Sequence, residues 1–117
     1  MTDQEKVRAA LAAERAGALD RLAALERELA GIVESVGSGG TDDEHDPEGA
    51  TLAFERQHVA ALLGQARERL AAIGEALRRL GEGGYGICER CGAPIGAGRL
   101  AARPAVVTCI HCAARRR

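Results

Sequence analysis

Aromatic side chains are nearly absent from this chain of 117 residues, which has one Tyr, one Phe and no Trp. Aromatic residues make up 2% of the sequence, whereas charged residues make up 28%. This balance favours helices over a mixed globular core. Proline is also scarce, and none of the three prolines lies between Gln4 and Val33.

The first residues, MTDQEKVRAALAAE, do not have the pattern expected of a hydrophobic leader of the signal-peptide type. The sequence therefore gives no reason to expect an oxidising compartment. We expect a cytoplasmic protein whose thiols stay reduced and which makes no contact with a membrane.

Cysteine is confined to the last thirty residues, where it forms two pairs, Cys88 with Cys91 and Cys109 with Cys112. Each Cys-x-x-Cys turn presents two thiolates to one metal ion, and two such turns can complete a tetrahedral shell around Zn²⁺. Four thiolates fill every coordination position, so neither water nor substrate can reach the metal. The sequence therefore predicts one structural zinc ion.

Residues 83–117 contain few large apolar side chains and one aromatic residue, Tyr85. A module of this size usually needs a metal ion or disulfides in order to fold. Paired disulfides and a redox-active Cys-x-x-Cys are rival interpretations, but a reducing compartment disfavours the first, and no βαβ pattern supports the second. A secondary role as a redox switch stays open, because zinc-bound thiolates can be oxidised.

Two stretches carry apolar residues at alternating three- and four-residue spacing, which is typical of helices that pack along one seam. The first runs from Gln4 to about Val33, and the second continues to about Gly81. The seam residues are Leu11, Ala18, Leu22, Leu25, Leu29 and Ile32 in the first stretch, and Leu52, Val59, Leu63, Ala66, Leu70, Ile73, Leu77 and Leu80 in the second. Asp46 reads as the N-cap of the second helix, with Pro47 at its first position and Glu48 well placed on its dipole.

The simplest fold is mainly all-α, with an antiparallel coiled-coil helical hairpin over residues 1–82. A small four-cysteine zinc-finger module and a short C-terminal tail follow over residues 83–117. An acidic, glycine-rich loop around residues 35–50 is expected at the tip of the hairpin. Dimerisation through the seams is the alternative, because a heptad pattern does not reveal whether the partner helix belongs to the same chain.

Charge is uneven along the chain, although the formal net charge is only −1. The acids expected at the tip are Asp42, Asp43, Glu44, Asp46 and Glu48. Arg99 and Arg103 lie between the cysteine pairs, and three further arginines end the chain. An acidic tip disfavours nucleic acid and suits a basic channel or a bound cation, whereas a solvated loop is the plainer interpretation.

The run GYGICERCG over residues 84–92, together with RLAARP over residues 99–104 and Cys109-Ile110-x-Cys112, resembles the DksA/TraR family of C4 zinc-finger proteins. The preceding hairpin agrees with that family in length and placement. The resemblance implies a bacterial cytoplasmic regulator that binds RNA polymerase, inserts its hairpin into the secondary channel and alters transcription initiation without contacting promoter sequence. It implies no enzymatic activity.

The family's acidic tip motif falls on His45, Glu48 and Ala50, so one of its carboxylates is replaced by His. His45 is more readily interpreted as an exposed loop residue than as a metal ligand. The resemblance makes Arg99 and Arg103 candidate contacts to polymerase or nucleotide, but two other basic positions of the family's guanosine tetraphosphate site read as Ala72 and Ala113. A response to that nucleotide is therefore doubtful.

Three other interpretations stay open at this point. A GATA-like DNA-binding finger shares the cysteine spacing, but the loop between the pairs carries only Arg99 and Arg103 as charged residues. A coiled-coil dimerisation protein would not need an acidic tip. An enzyme is the weakest of the three, because no nucleophile with its base, phosphate loop or open metal site is visible.

Phe54 fits a contact anchor near the tip as well as it fits hairpin packing.

Overall fold

The computed structural model describes residues 2–39 and 47–115 of the chain. The first two of its four helices are long: α1 spans Asp3–Gly39 and α2 spans Pro47–Glu82. Two short helices follow, α3 over Ala97–Ala102 and α4 over Ile110–Ala114. The predicted start of the second helix at Pro47 is confirmed, whereas its predicted N-cap, Asp46, lies outside the described residues.

The first long helix continues beyond the end that glycine content suggested, from Val33 to Gly39. At its N-terminus the Thr2 hydroxyl accepts from the Glu5 backbone N–H at 3.1 Å, and the Glu5 carboxylate accepts from the Thr2 N–H at 2.9 Å. These reciprocal bonds satisfy backbone donors that the first helical turn leaves free. Near the other end the Ser35 hydroxyl donates to the Gly31 carbonyl at 2.9 Å.

The contacts divide the chain into two compact units. Unit 2, residues 17–69, is the part of the hairpin on either side of the segment 40–46. Its core consists of the buried residues Leu25, Ile32, Val59, Leu63 and Ala66, with Leu22, Leu29, Leu52 and Leu62 packed around them. These residues come from both long helices, so the predicted seams pack against each other within the chain. Arg67 and Glu26 add an exposed ion pair at 3.7 Å, which is worth little to stability.

Unit 1 contains residues 1–16 and 70–117. Here the start of α1 lies against the end of α2, as the Gln4 side chain donates to the Leu80 carbonyl at 3.1 Å. The two helices therefore run antiparallel. Leu11 and Ile73 are fully buried in this unit, as the seams predict. Ala76, three residues after Ile73, is also buried although the pattern did not single it out.

The end of α2 turns the chain towards the cysteines. The backbone N–H groups of Gly83 and Gly84 both donate to the Arg79 carbonyl at 2.9 Å, and Gly83 has a φ of 93°. A left-handed glycine just after the last helical residue is a common helix stop, because a side chain would clash in that conformation. Within the described part of the chain, no helix is both long enough and apolar enough to cross a membrane.

Candidate metal centre

The first cysteine pair lies in a tight turn after α2. Ile87 and Pro94 form an isolated antiparallel bridge across this turn, and the Cys88 N–H donates to the Ala93 carbonyl at 2.8 Å. The Gly92 N–H donates back to the Cys88 carbonyl at 2.9 Å, and Gly92 has a φ of 76°. This left-handed glycine reverses the chain directly after Cys91, so both thiols of the pair face the same side of the turn.

The second cysteine pair lies at the start of α4. Cys109 is the N-cap of that helix, and its Sγ accepts from the Cys112 N–H at 3.4 Å. One helical turn separates the two cysteines, which brings their side chains to the same face. The Glu89 N–H donates to the Val107 carbonyl at 2.9 Å and so ties the two cysteine turns together.

The four thiols meet at one point. Their Sγ atoms all lie within 4.8 Å of one another, and the Sγ atoms of Cys91 and Cys109 are 3.7 Å apart. A tetrahedral zinc ion with Zn–S bonds of about 2.3 Å would hold its sulfurs roughly 3.8 Å apart, so the arrangement fits a four-thiolate zinc site. All four cysteines are free rather than disulfide-bonded. Among the residues the structure describes, this is the one group of three or more side chains that could hold a metal.

The local electrostatics also suit a cation. The backbone N–H of Cys109 is the main cause of the lowered pKa of Cys88, which falls to about 6. The backbone N–H of Cys112 likewise lowers the pKa of Cys109. By contrast, hydrogen bonding with Cys109, followed by burial, raises the pKa of Cys112 to about 12. Without a metal the crowded thiols therefore retain a proton, and a bound dication would displace it.

The four cysteines differ in how deeply they are buried. Cys88 and Cys109 are buried, Cys112 is half-buried and Cys91 is exposed. The two buried cysteines form a small apolar cluster with Ile95, and Leu100, Val106 and Cys112 pack against it. Because four thiolates leave no open coordination position, a metal here stabilises the module and does no chemistry.

Residues outside the cysteine pairs hold the module in place. The Arg79 guanidinium donates to the Ile87 carbonyl at 2.7 Å, and the Tyr85 hydroxyl donates to the Pro104 carbonyl at 2.8 Å. Burial is the main cause of a raised pKa at Tyr85, and the negative charge of Glu14 adds to it. Sequence patterns did not reveal these bonds, because a backbone carbonyl is an acceptor with no residue signature.

The two arginines between the cysteine pairs have different environments. The Arg99 Nε donates to the Thr108 carbonyl at 3.0 Å, whereas the Arg103 side chain is exposed. Both arginines line a concavity of about 360 Å³ that Ala72 and Ala113 also line. The full set of lining residues is Ala72, Glu89, Arg90, Arg99, Arg103, Ala105, Val106, Val107, Thr108 and Ala113. The three positions that the resemblance relates to a nucleotide site, Ala72, Arg103 and Ala113, therefore line one concavity.

Most of the predicted tip residues, Asp42, Asp43, Glu44, His45 and Asp46, lie outside the described residues. Glu48 belongs to the first turn of α2, and Ala50 is exposed on the same helix. His58 and His111 are also exposed, and neither belongs to the thiol cluster. Phe54 is 73% exposed, so the hairpin core does not use it.

Fold and site together define a C4-type zinc-finger protein built on a helical hairpin. Residues 83–117 match the family model of the prokaryotic dksA/traR C4-type zinc finger. The solved structure of transcription factor DksA2 from Pseudomonas aeruginosa is similar over 97% of this chain and 81% of its own length, with 33% sequence identity and a TM-score of 0.76. The chain belongs to the DksA/TraR family.

Curated relatives give a shorter match. The RNA polymerase-binding transcription factor DksA of two Caulobacter vibrioides strains, NA1000 / CB15N and ATCC 19089 / CIP 103742 / CB 15, is 43% identical over 49 residues. That match covers 42% of this chain and 34% of the relative. It therefore spans about a third of the relative's length.

Proposed function

We propose that this chain is a cytoplasmic transcription regulator that binds RNA polymerase and places the segment between α1 and α2 in the secondary channel. The observation that carries this proposal is the likeness to transcription factor DksA2 over 97% of the chain at 33% identity. The four-thiol cluster supports it, since the zinc module is the part of the chain that the family model matches. The chain acts through binding and not as an enzyme.

The two ends of the hairpin have separate roles in this proposal. The zinc module and the adjoining helix ends dock on the polymerase surface, and the acids of segment 40–46 reach towards the cations of its active centre. The acidic tip motif reads His45, Glu48 and Ala50 in this chain. One carboxylate of the motif is therefore missing, so binding is retained while the effect on initiation differs from that of relatives with both acids.

We further propose that this chain responds weakly or not at all to guanosine tetraphosphate. A polyphosphate needs several converging cations, and only Arg103 keeps a basic side chain at the three positions carried over from the family. Ala72 and Ala113 line the same concavity without charge. Arg90 and Arg99 also line it, but the acidic Glu89 lies beside them and the Nε of Arg99 already donates to the Thr108 carbonyl. The double variant Ala72→Lys with Ala113→Lys should gain nucleotide binding, measured by titration in complex with polymerase.

Titration of the zinc-loaded protein onto bacterial core RNA polymerase tests the main proposal. A tip variant and a control variant are compared with the wild type for binding and for transcript yield from a promoter template. The tip variant carries Asp42→Asn, Asp43→Asn, Glu44→Gln, Asp46→Asn and Glu48→Gln. The control carries Asp20→Asn, Glu28→Gln and Glu34→Gln, which neutralise exposed acids of α1.

We expect saturable binding by all three proteins, with transcript yield changed by the wild type and the control but not by the tip variant. That result assigns docking to the body of the protein and activity to the tip. Absence of binding at micromolar protein would remove the polymerase interpretation. Binding to promoter DNA alone would then favour a DNA-binding finger, and self-association would favour a dimerisation protein.

A further inference from the structure

Phe54 is an apolar side chain that the fold leaves unused. It is the only Phe in the chain and, at 73% exposure, the most exposed of the large hydrophobic side chains that the structure describes. The buried face of α2 in unit 2 is formed by Val59, Leu63 and Ala66. Phe54 is five residues before Val59, about 140° around the helix, and therefore points away from that face. A phenyl ring in water makes almost no contribution to folding stability.

The described residues of α2 on the same side as Phe54 include no Asp, Glu, Lys or Arg. The residues within one or two helical turns on its side of α2 are Ala50, Thr51, Gln57, His58 and Ala61, all exposed. With Phe54 they form what we call the Phe54 face. Between Gly49 and Ala66 the only acidic or basic residues, His58 aside, are Glu55 and Arg56, although 28% of the whole chain is charged. Depletion of charge around an aromatic anchor is typical of the centre of a protein interface.

The Phe54 face is too small to hold a second copy of the chain, or any other partner, by itself. From Ala50 to Ala61 it extends about 17 Å at 1.5 Å per residue, and one helix is roughly 10 Å wide. The resulting area is on the order of 170 Å², whereas a stable complex buries about 800 Å² on each partner. A face of this size suits one anchor within a larger interface that other parts of the chain complete.

The position of Phe54 on α2 indicates what that larger interface is. α2 begins at Pro47, so Phe54 lies two turns after the acidic segment 40–46. A partner that receives the acidic segment also receives the Phe54 face. We propose that Phe54 inserts into an apolar pocket in the wall of the RNA polymerase secondary channel and anchors α2 there. This inference rests on the proposed function, because it takes RNA polymerase as the partner.

The test compares the affinities of zinc-loaded variants for core RNA polymerase. Phe54→Ala removes the ring, Phe54→Leu keeps an apolar side chain, and Leu19→Ala is a control at another exposed apolar residue, on α1. We expect Kd to rise about tenfold or more for Phe54→Ala, as for a truncated hot-spot residue. The Kd of Phe54→Leu should rise less, and the Kd of Leu19→Ala should match that of the wild type. Unchanged zinc content, far-UV circular dichroism and thermal midpoint would show that Phe54→Ala folds normally.

The possible results separate this inference from the proposed function. If the wild type binds and the Kd of Phe54→Ala is within twofold of the wild-type value, Phe54 is not an anchor and the proposed function stands. If the wild type does not bind, both are wrong. Sedimentation of the free proteins provides a third check, because a wild-type dimer that Phe54→Ala converts to monomer would make the face a self-interface and overturn the inference.

Discussion

Substitution of Cys109 by Ser should unfold the zinc module while leaving the helical hairpin largely intact. Cys109 is buried, and its Sγ is 3.7 Å from that of Cys91. It is also the N-cap of α4, and serine is among the best N-capping residues. The variant therefore keeps the cap and removes one of the four thiolates, so its effect reports on the metal.

The expected magnitude follows from how little apolar surface the module buries. Ile95 is buried, and Leu100 and Val106 are half-buried against the thiols. Their burial contributes about 3–6 kcal/mol, at roughly 1.5–3 kcal/mol for each fully buried side chain. A structural zinc site contributes about 10–16 kcal/mol, which exceeds the contribution of that burial. Burial alone cannot order residues 83–115, so the loss of zinc should unfold them.

Tyr85 provides the assay. It is the only Tyr of a chain without Trp, and its hydroxyl is bonded to the Pro104 carbonyl. Its near-UV circular dichroism should therefore disappear in Cys109→Ser, together with the bound zinc measured by elemental analysis. The far-UV signal should largely remain, because α1 and α2 contain 37 and 36 residues whereas α3 and α4 contain 6 and 5.

His111→Ala is the matched control, because His111 is exposed between Cys109 and Cys112 and lies outside the thiol cluster. It should keep one zinc ion per chain and the Tyr85 signal. If Cys109→Ser contains no zinc and still gives the wild-type Tyr85 signal, the module folds without the metal and zinc is not structural here. A His111→Ala protein that loses zinc would contradict the ligand assignment.

Three further predictions concern stability and ionisation. Ile73→Ala should lower the free energy of unfolding by about 2–5 kcal/mol in urea titrations, because Ile73 is fully buried; a loss below about 1 kcal/mol would contradict the core assignment. Gly74→Ala should raise the free energy of unfolding by about 0.5–1 kcal/mol, because alanine is the better helix former and the added methyl meets nothing within 4 Å. Gly86→Ala should lower that free energy, because Gly86 has a φ of 86°. The pKa of Tyr85, followed by its ultraviolet absorbance, should lie above the ordinary value and fall in Glu14→Gln. Because the pKa of the Tyr85 hydroxyl is raised in the folded state, its contribution to stability is complete below the unfolded pKa and is lost as pH rises through the folded pKa. A titration midpoint of Tyr85 at the ordinary value would contradict its burial.

Much of the fold could be predicted because helix packing leaves a periodic signature. The seam residues Leu11, Leu25 and Ile73 are buried, as their spacing predicts. The four-thiol cluster could also be predicted, since two Cys-x-x-Cys pairs indicate a metal site by their residue type and spacing. The end of α1 was harder to predict. A helix can continue through Gly37 and Gly39 at a cost of about 1 kcal/mol each, so glycine alone did not mark its last residue.

Tertiary bonds to backbone atoms could not be predicted from the sequence. Arg79 bonds to the Ile87 carbonyl and Arg99 to the Thr108 carbonyl, and these acceptors are the same in every residue type. The sequence made Arg99 a candidate contact to polymerase or nucleotide, and that stays a prediction; the structure adds that its Nε donates to the Thr108 carbonyl within the module. The exposure of Phe54 likewise required the structure, because the spacing of Leu52 and Phe54 showed only that both could not share one seam.

Photo-crosslinking within the polymerase complex can show which part of the chain enters the secondary channel. A benzophenone amino acid is placed at Ala50 of α2 or at Ala102 of α3, both of which are exposed, and the crosslinked peptides are mapped by mass spectrometry. We expect the probe at Ala50 to reach peptides lining the secondary channel and the probe at Ala102 to reach peptides outside it. A probe at Ala50 that labels only promoter DNA, only a second copy of the chain, or polymerase peptides outside the channel would show that the segment between α1 and α2 does not enter the channel.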